Sequence, residues 1–209
     1  MIFNDEMIEE LRLSVKDRLS EKRYIHTVGV EKMAKHLGDI ILSEKTDELC
    51  VAALLHDITK ELPYTEQLNL LKTSALKYTQ EDIDIKPALH AISAIPIVKK
   101  EYSKYVTTDV LSAIFNHTLG NDNMSVFDEI IFISDYTEQG RTYPACIEVR
   151  DYLLKNIDMK KDLADNLNSL HIAMLMAINY TIDSLTKRGE KIHPKTYLTK
   201  TYFERLIEK

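Results

Sequence analysis

The chain has 209 residues, a length that predicts one domain, and 44% of them are hydrophobic, which is enough to form a core. Its formal net charge of −6 argues against a nucleic-acid-binding protein, because phosphate backbones select basic surfaces. Only five Gly and five Pro interrupt the chain, which favours long helices over a many-stranded β fold.

Helical periodicity begins near the N-terminus and continues through the first fifty residues. Apolar residues recur at helical spacing over 5–19. Ser20 is the expected N-cap of a second helix over 21–37, which should end near Gly38 because glycine commonly follows a helix C-terminus. Thr46 then starts a third helix, which runs through the apolar sequence AALLHD.

The middle of the chain is predicted to form shorter helices whose ends are set by proline. One helix covers 65–78, and the next has Pro87 in its first turn and carries His90. Pro96 should end or kink that helix, because proline lacks the amide hydrogen that the helical ladder needs.

Hydroxyl side chains mark the next two helix starts. Thr107 or Thr108 begins a short helix that ends near Gly120. Ser125 and Asp128 have the spacing of a capping box, with Asp in the usual place of Glu, ahead of a helix with the apolar run IIFIS.

Three helices are predicted for the C-terminal part. Pro144 opens the first, residues 159–187 form the longest, closed by Gly189, and 195–208 form the last. The apolar residues of the longest helix could form a partner-binding surface, but core packing explains their spacing more simply. Its apolar positions are Leu163, Leu167, Leu170, Met174, Ala177 and Ile178.

The cysteines and the N-terminal residues indicate the cellular compartment of the protein. Cys50 and Cys146 lie far apart and neither has a CxxC partner, which argues against a zinc knuckle or a disulfide framework. Cys50 is expected in the core. The first residues lack the features of a targeting segment, and no stretch is apolar enough to span a bilayer. These features predict a cytoplasmic protein that does not associate with membranes.

Six residues stand out as candidate ligands. A lone histidine is usually a hydrogen-bonded core or surface residue, and His36, His171 and His193 are interpreted in that way. The remaining group combines imidazoles and carboxylates and is less easily dismissed: His26, His56, Asp57, His90, His117 and Asp135.

Two of the carboxylates follow apolar helices. Asp57 comes after VAALL and Asp135 comes after IIFIS, so both are expected to be buried. Buried carboxylates are costly unless a cation or strong donors satisfy them. Imidazole with carboxylate suits Fe, Mn, Zn, Co or Ni. Spacing alone leaves open whether these residues converge on a metal or are buried separately.

The order H…HD…H…H…D is the signature of the HD superfamily. Five segments resemble the YqeK-like family in order and spacing, from about residue 23 to residue 150. They read RYIHTVGVEKMA, AALLHDITK, PALHAISA, IFNHTLG and ISDYTEQGR. Members of this family are symmetrical dinucleoside-tetraphosphate hydrolases, which split diadenosine tetraphosphate into two ADP.

The resemblance implies an HD-domain helical bundle and a set of site residues. The bundle would form a single domain over 1–209, with a core at about 20–155, an N-terminal helix and a C-terminal helical extension. The implied metal ligands are His26, His56, Asp57 and Asp135, with iron as the expected ion and Mn, Co, Ni, Zn or Mg as alternatives.

The resemblance also implies the substrate-binding and catalytic residues. His90 and His117 would face the substrate phosphates or hold a second metal. The expected catalytic residues are Asp57, Lys60, His90, His117 and Asp135. Substrate-binding residues would add Arg23, Thr118 and Arg141 to these. The family further implies a homodimer.

Two departures from the family pattern bear on specificity. Gln139 stands where the family often has proline, which should only alter a turn. Residues 121–125 replace a segment in which a basic residue often follows the glycine, and this could shift substrate preference.

Other functions stay open on the sequence alone. The chain could be another HD-type enzyme, such as a dNTP triphosphohydrolase, a nucleotidase or a cyclic-nucleotide phosphodiesterase. It could also be a nucleotide-binding sensor with a structural metal. The DYTEQGR segment favours the tetraphosphatase, and the complete set of ligand-type residues argues against a degenerate site.

Overall fold

The computed structural model describes residues 3–208. Within this range the chain forms eleven α-helices and no β-strand, which confirms the predicted all-α class. The helices are α1 (Asp5–Arg18), α2 (Glu21–Ile41), α3 (Thr46–Leu55), α4 (Tyr64–Lys72), α5 (Gln80–Asp84), α6 (Leu89–Glu101), α7 (Thr108–Asn116), α8 (Val126–Thr137), α9 (Pro144–Asn156), α10 (Leu163–Lys187) and α11 (Pro194–Ile207). Short 3-10 turns lie at Ser43–Lys45, Lys86–Ala88 and Ser103–Tyr105.

Helix α3 is the centre of the bundle. Every residue of α3 except Asp47 is buried, and the helix packs against α1, α2, α7 and α8. An apolar helix with no polar face can be stable only when neighbours surround it, as they do here. Cys50 is part of this core, as predicted. The HD dipeptide directly follows α3, so the packing of α3 fixes the position of His56 and Asp57.

Local capping residues set several helix starts as the sequence predicts. The Ser20 hydroxyl accepts a hydrogen bond from the Arg23 amide at the start of α2. The Thr107 side chain caps α7, and Ser125 with Asp128 forms the reciprocal capping box of α8. These contacts satisfy amide groups that a helix N-terminus otherwise leaves free.

Gly38 lies inside α2 and does not end it. The helix continues to Ile41, so the predicted end near Gly38 is wrong. A Cβ atom at Gly38 would lie 2.7 Å from Cδ1 of the buried Leu49 and 3.2 Å from Oγ1 of Thr46. Glycine is needed here because α2 and α3 approach closely, and tertiary packing determines where it is placed.

The predicted end of the helix over 65–78 is also wrong, and Pro96 does not end its helix. The helix predicted over 65–78 ends at Lys72, where the Thr73 amide and hydroxyl both bind the carbonyl of Asn69. Helix α6 continues past Pro96 to Glu101. The buried side chains of Ile95 and Ile97 on either side of Pro96 hold this segment in the helical core.

The long helix α10 packs on α8, α9 and α11. Its buried face includes Leu170, Met174, Ala177 and Ile178, in agreement with core packing. The helix starts at Leu163, later than predicted, and Leu163 itself is 55% exposed, so its assignment to the core is wrong. Within the described part of the chain, every helix is too short or too polar to cross a bilayer.

Candidate active site

The six candidate ligands come together where five helices meet. His26 lies in α2, His56 and Asp57 directly follow α3, and Asp135 lies in the last turn of α8. His90 is in the first turn of α6, and His117 is the C-cap of α7. Most of these residues therefore lie at helix ends, and this allows residues so far apart in sequence to approach one another.

Four of these residues surround a common point. Nε2 of His26 lies 3.0 Å from Oδ1 of Asp135 and 3.6 Å from Oδ2 of Asp57. Nε2 of His56 lies 3.5 Å from Oδ2 of Asp57 and 4.0 Å from Oδ1 of Asp135. Ligands at about 2.1 Å from one transition-metal ion are roughly 3 to 4 Å from each other. The spacing therefore fits a shared ion.

The hydrogen bonding of these atoms supports the same conclusion. His26 Nε2, His56 Nε2 and Asp57 Oδ1 are buried and lack a hydrogen-bond partner within residues 3–208. Their contacts are close in distance but do not have hydrogen-bond geometry. Unsatisfied buried polar atoms cost about 1 to 3 kcal/mol each. A cation beside Asp57 Oδ2 would satisfy the two imidazole nitrogens, whereas Asp57 Oδ1 faces His90 and His117.

Backbone contacts determine which ring nitrogen faces the centre. Nδ1 of His56 lies 2.6 Å from the carbonyl oxygen of Ala53, and Nδ1 of His117 lies 2.7 Å from that of Ile114. A carbonyl oxygen only accepts, so each Nδ1 carries the hydrogen and donates it. Nε2 of each ring therefore faces inward, the orientation that a metal ligand requires.

Glu138 takes the corresponding role for His26. Its Oε1 lies 3.1 Å from Nδ1 of His26, and its Oε2 accepts a hydrogen bond from the Gly140 amide. A carboxylate that holds the second nitrogen of a histidine ligand fixes the ring and increases its basicity. Sequence reasoning missed this role, although Glu138 is the glutamate of the DYTEQGR segment.

His90 and His117 form a second cluster that shares Asp57. Their Nε2 atoms are 2.9 Å apart and lie 3.1 Å and 3.7 Å from Oδ1 of Asp57. Lys60 Nζ and Thr118 Oγ1 each lie 3.2 Å from His90 Nε2. The structure thus places Lys60 and Thr118 on the His90 side of the site.

Arg23 and Arg141 lie on the opposite side, and each is paired with a carboxylate ligand. Nη1 of Arg23 is 2.7 Å from Oδ2 of Asp57. Arg141 donates Nη2–H to Oδ1 of Asp135 and Nε–H to the Asp135 carbonyl at 2.9 Å. Both arginines are close enough to interact with a phosphate at the cluster.

Protonation states follow from burial and from the surrounding charges. Burial raises the pKa of Asp57, but His56, His117 and His90 outweigh it and hold that pKa well below the usual value. Burial likewise opposes the ionised form of Asp135, yet His26 and Arg141 hold the pKa of Asp135 well below the usual value. Burial lowers the pKa of His90 to about 4, so His90 is neutral near pH 7 and adds no positive charge.

The three histidines excluded as ligands lie outside the metal cluster. His36 is exposed on α2 and lines the cleft beside the cluster. His171 is 3.4 Å from Glu129, and His193 is 3.2 Å from Asp82. Gln139 is exposed beside the cluster.

Comparisons with known proteins agree with this geometry. The HD domain family matches residues 23–140. A symmetrical bis(5'-nucleosyl)-tetraphosphatase from Bacillus subtilis is 31% identical over 91% of this chain and 94% of the relative. An enzyme of the same name from Halalkalibacterium halodurans is 33% identical over 93% of this chain and 94% of the relative.

A solved structure shares the fold. It is described as a predicted HD superfamily hydrolase involved in NAD metabolism, from Clostridium acetobutylicum. It superposes with a TM-score of 0.81 at 30% identity, over 95% of this chain and 97% of that one. From the family match and these relatives together, the chain belongs to the HD domain family, in its YqeK-like branch.

Proposed function

We propose that this protein is a metal-dependent hydrolase that cleaves dinucleoside tetraphosphates symmetrically, converting diadenosine tetraphosphate to two ADP. The observation that carries the proposal is the convergence of His26, His56, Asp57 and Asp135, with buried atoms that lack hydrogen-bond partners within residues 3–208. The names of the relatives at 31% and 33% identity supply the substrate class.

The reaction is the addition of water across the central phosphoanhydride. Water forms a new P–O bond at one of the two central phosphorus atoms, and the bond from that phosphorus to the bridging oxygen breaks. The bridging oxygen leaves on the second nucleoside diphosphate, and a proton from the water passes to solvent. A divalent ion bound by the four ligands would lower the pKa of water and neutralise charge on the phosphoryl oxygens.

The chain's own residues position and neutralise the tetraphosphate. Asp57 and Asp135 have carboxylates at the centre, where one of them can orient the attacking water or accept its proton. Lys60 and Thr118 donate to phosphoryl oxygens from the side of His90. Arg23 and Arg141 do so from the opposite side, and a planar guanidinium can hold two oxygens at once.

His90 and His117 are proposed as ligands of a second ion. Both Nδ1 atoms face carbonyl oxygens, so the Nε2 lone pairs face each other at 2.9 Å. Two lone pairs at this distance repel unless a cation or a proton lies between them. With Asp57 they form one of the residue groups that could hold a metal. This orientation argues against the alternative role in which Nε2–H of His90 donates to a phosphate.

Four further assignments belong to the proposal. Iron is the proposed ion, because the resemblance implies it and imidazole–carboxylate sites suit it, with Mn, Co, Ni, Zn and Mg as alternatives. A homodimer rests on the resemblance. A cytoplasmic location is supported by two free, buried cysteines. A single domain with an HD core at about 20–155 is supported by the family match over 23–140.

Metal analysis combined with product identification tests the function. The purified protein is assayed for bound metals and then incubated with diadenosine tetraphosphate, dATP, AMP and a cyclic nucleotide in parallel. ADP as the sole nucleotide product of the first substrate supports the proposal. AMP with ATP, or turnover of only the other substrates, would overturn it. Metal binding without any turnover would indicate a sensor with a structural metal.

A further inference from the structure

A cleft of about 1020 Å³ opens beside the metal cluster. It runs between α2 and the segment that joins α8 to α9. Arg23, His26 and Arg141 line both the cleft and the cluster, so the two are continuous. Ile25, Tyr143 and Leu154 also line the cleft.

We propose that this cleft binds the second nucleoside diphosphate half of the dinucleotide, with its base against Tyr143 and Leu154. This inference rests on the proposed function and specifies where that half of the substrate lies. The residues assigned so far contact metal or phosphate, so none of them accounts for the second nucleoside.

The geometry of symmetrical cleavage requires two binding regions. The bond that breaks is at the centre of the substrate, so an equal half extends from the metal cluster in each direction. Phosphate donors occur in two groups, with Lys60 and Thr118 beside His90, and Arg23 and Arg141 beside His26. The cleft begins at the second group, where the other half must leave the cluster.

The lining of the cleft matches the chemistry of a nucleoside diphosphate. Tyr143 is 71% exposed, Ile25 is 63% exposed and Leu154 is 45% exposed, which is unusual for large apolar side chains around one cavity. An exposed aromatic ring offers a stacking surface that any nucleobase can use. The volume is close to the upper limit of small-molecule sites, about 1,000 Å³.

Charges along the cleft favour an anionic ligand. Lys22 and Lys32 line it in addition to the two arginines. Arg23 Nε is buried and has no hydrogen-bond partner within residues 3–208, so it retains a donor that a phosphate could use. Glu138 also lines the cleft, but its carboxylate is already bound by His26 and by the Gly140 amide.

Two substrates that differ only in the second nucleoside test the inference. Diadenosine tetraphosphate has both nucleosides, whereas adenosine 5'-tetraphosphate has the same four phosphates and one nucleoside. Wild-type protein, Tyr143→Ala and Leu154→Ala are compared with Tyr197→Ala, which removes an exposed tyrosine that does not line the cleft. ADP binding to the metal-loaded protein is measured by calorimetry in parallel.

We expect Tyr143→Ala to raise the KM for diadenosine tetraphosphate roughly tenfold and to leave that for adenosine 5'-tetraphosphate within about twofold. Wild type should bind two ADP per chain, and Tyr143→Ala should bind one of the two about tenfold more weakly. Tyr197→Ala should behave as wild type in every measurement.

The outcomes separate this inference from the proposed function. The cleft assignment alone would be overturned if wild type makes ADP from diadenosine tetraphosphate while Tyr143→Ala and Leu154→Ala keep the wild-type KM and ADP binding. The function would be overturned, and the cleft would remain a nucleotide site, if wild type bound two ADP without turnover of diadenosine tetraphosphate and Tyr143→Ala bound one of the two more weakly.

Discussion

Oε1 of Glu138 lies 3.1 Å from Nδ1 of His26, on the side of the ring away from the metal cluster. This contact orients the imidazole so that Nε2 faces Asp57 and Asp135. We expect Glu138→Gln to weaken metal binding by roughly 10- to 100-fold, because an amide lacks the charge that makes the ring a stronger ligand. Metal titration of the purified variant measures this.

Gln139 offers a matched control for that prediction. It follows Glu138 and is exposed, so Gln139→Ala should keep wild-type metal affinity. Equal metal affinity in Glu138→Gln and wild type would show that the contact with His26 does not support the site.

Substitutions at two glycines of α2 should affect metal affinity and stability independently. A side chain at Gly29 would collide with Oε2 of Glu138, so Gly29→Ala should displace Glu138 and lower metal affinity. A side chain at Gly38 would press on Leu49, so Gly38→Ala should lower the free energy of unfolding by about 1 kcal/mol, after allowance for the better helix propensity of alanine.

Metal titration and denaturant unfolding of both variants check this pair. Each variant should lose only one property. Gly38→Ala should keep a metal affinity close to wild type, and Gly29→Ala should keep a stability close to wild type. Equal losses of metal affinity in both variants would indicate a general disturbance of α2.

The HD dipeptide should be indispensable for both metal and turnover. His56→Ala removes one ligand, and Asp57→Ala removes the carboxylate that both ligand clusters share. We expect each variant to lose bound metal and to lose activity by at least about 1000-fold, as expected when metal-supplied charge stabilisation is lost. Metal content and product formation measured on the same preparations check this. Full activity in purified Asp57→Ala would rule out the mechanism.

Arg141 should act mainly on the substrate. It binds Asp135 through the side chain and the backbone, and its guanidinium retains further donors for phosphate. We expect Arg141→Ala to raise KM by about tenfold or more while most metal is retained, because the position of Asp135 is also fixed by α8. Arg141→Lys should recover part of the loss. A proportional fall in metal content would instead assign Arg141 a structural role.

Glu129 predicts a pH-dependent stability that is independent of the metal site. Burial raises the pKa of Glu129 to about 8, and the neighbouring Asp128 contributes. Its side chain faces His171 of α10, whose pKa is lowered by burial, and lies near Tyr202 of α11. Both members of the Glu129–His171 pair are therefore neutral near pH 7, although their atoms lie within ion-pair distance.

The sign of the effect follows from the raised pKa. The unfolded carboxyl loses its proton near pH 4.5 and the folded one near pH 8, so Glu129 destabilises the protein increasingly as pH rises between these values. Glu129→Gln has no proton to lose and should gain on the order of 3 kcal/mol relative to wild type between pH 5.5 and 8. Chemical denaturation at both pH values measures it.

The exposed Glu44 supplies the control for this comparison. Glu44→Gln should shift stability equally at pH 5.5 and pH 8. If Glu129→Gln also differed from wild type by the same free energy of unfolding at both pH values, Glu129 would be ionised and paired with protonated His171.

Helix starts were predictable because they depend on a few adjacent residues. The caps at Ser20, Thr107 and Ser125 are local hydrogen bonds that the sequence itself contains. Helix ends were less predictable. Gly38 indicates a helix end by its residue type, but its role is to let α3 approach, and the sequence gives no direct sign of that contact.

The candidate site shows the same division. Residue order identified the ligand types, but their convergence depends on how five helices pack, which spacing along the chain does not determine. Glu138 was missed as a positioning residue because its effect on the site passes through His26. The DYTEQGR segment contains Glu138, but the sequence does not indicate that this side chain contacts His26.

His26 and Asp135 lie far apart in the sequence, on helices α2 and α8, which pack against each other and bring the two side chains to 3.0 Å. An ion held between them would link α2, the turn after α3 and α8 as a reversible cross-link. The same ion that serves the chemistry would therefore also hold the bundle closed. Thermal unfolding midpoints should then rise with metal concentration and fall on chelation.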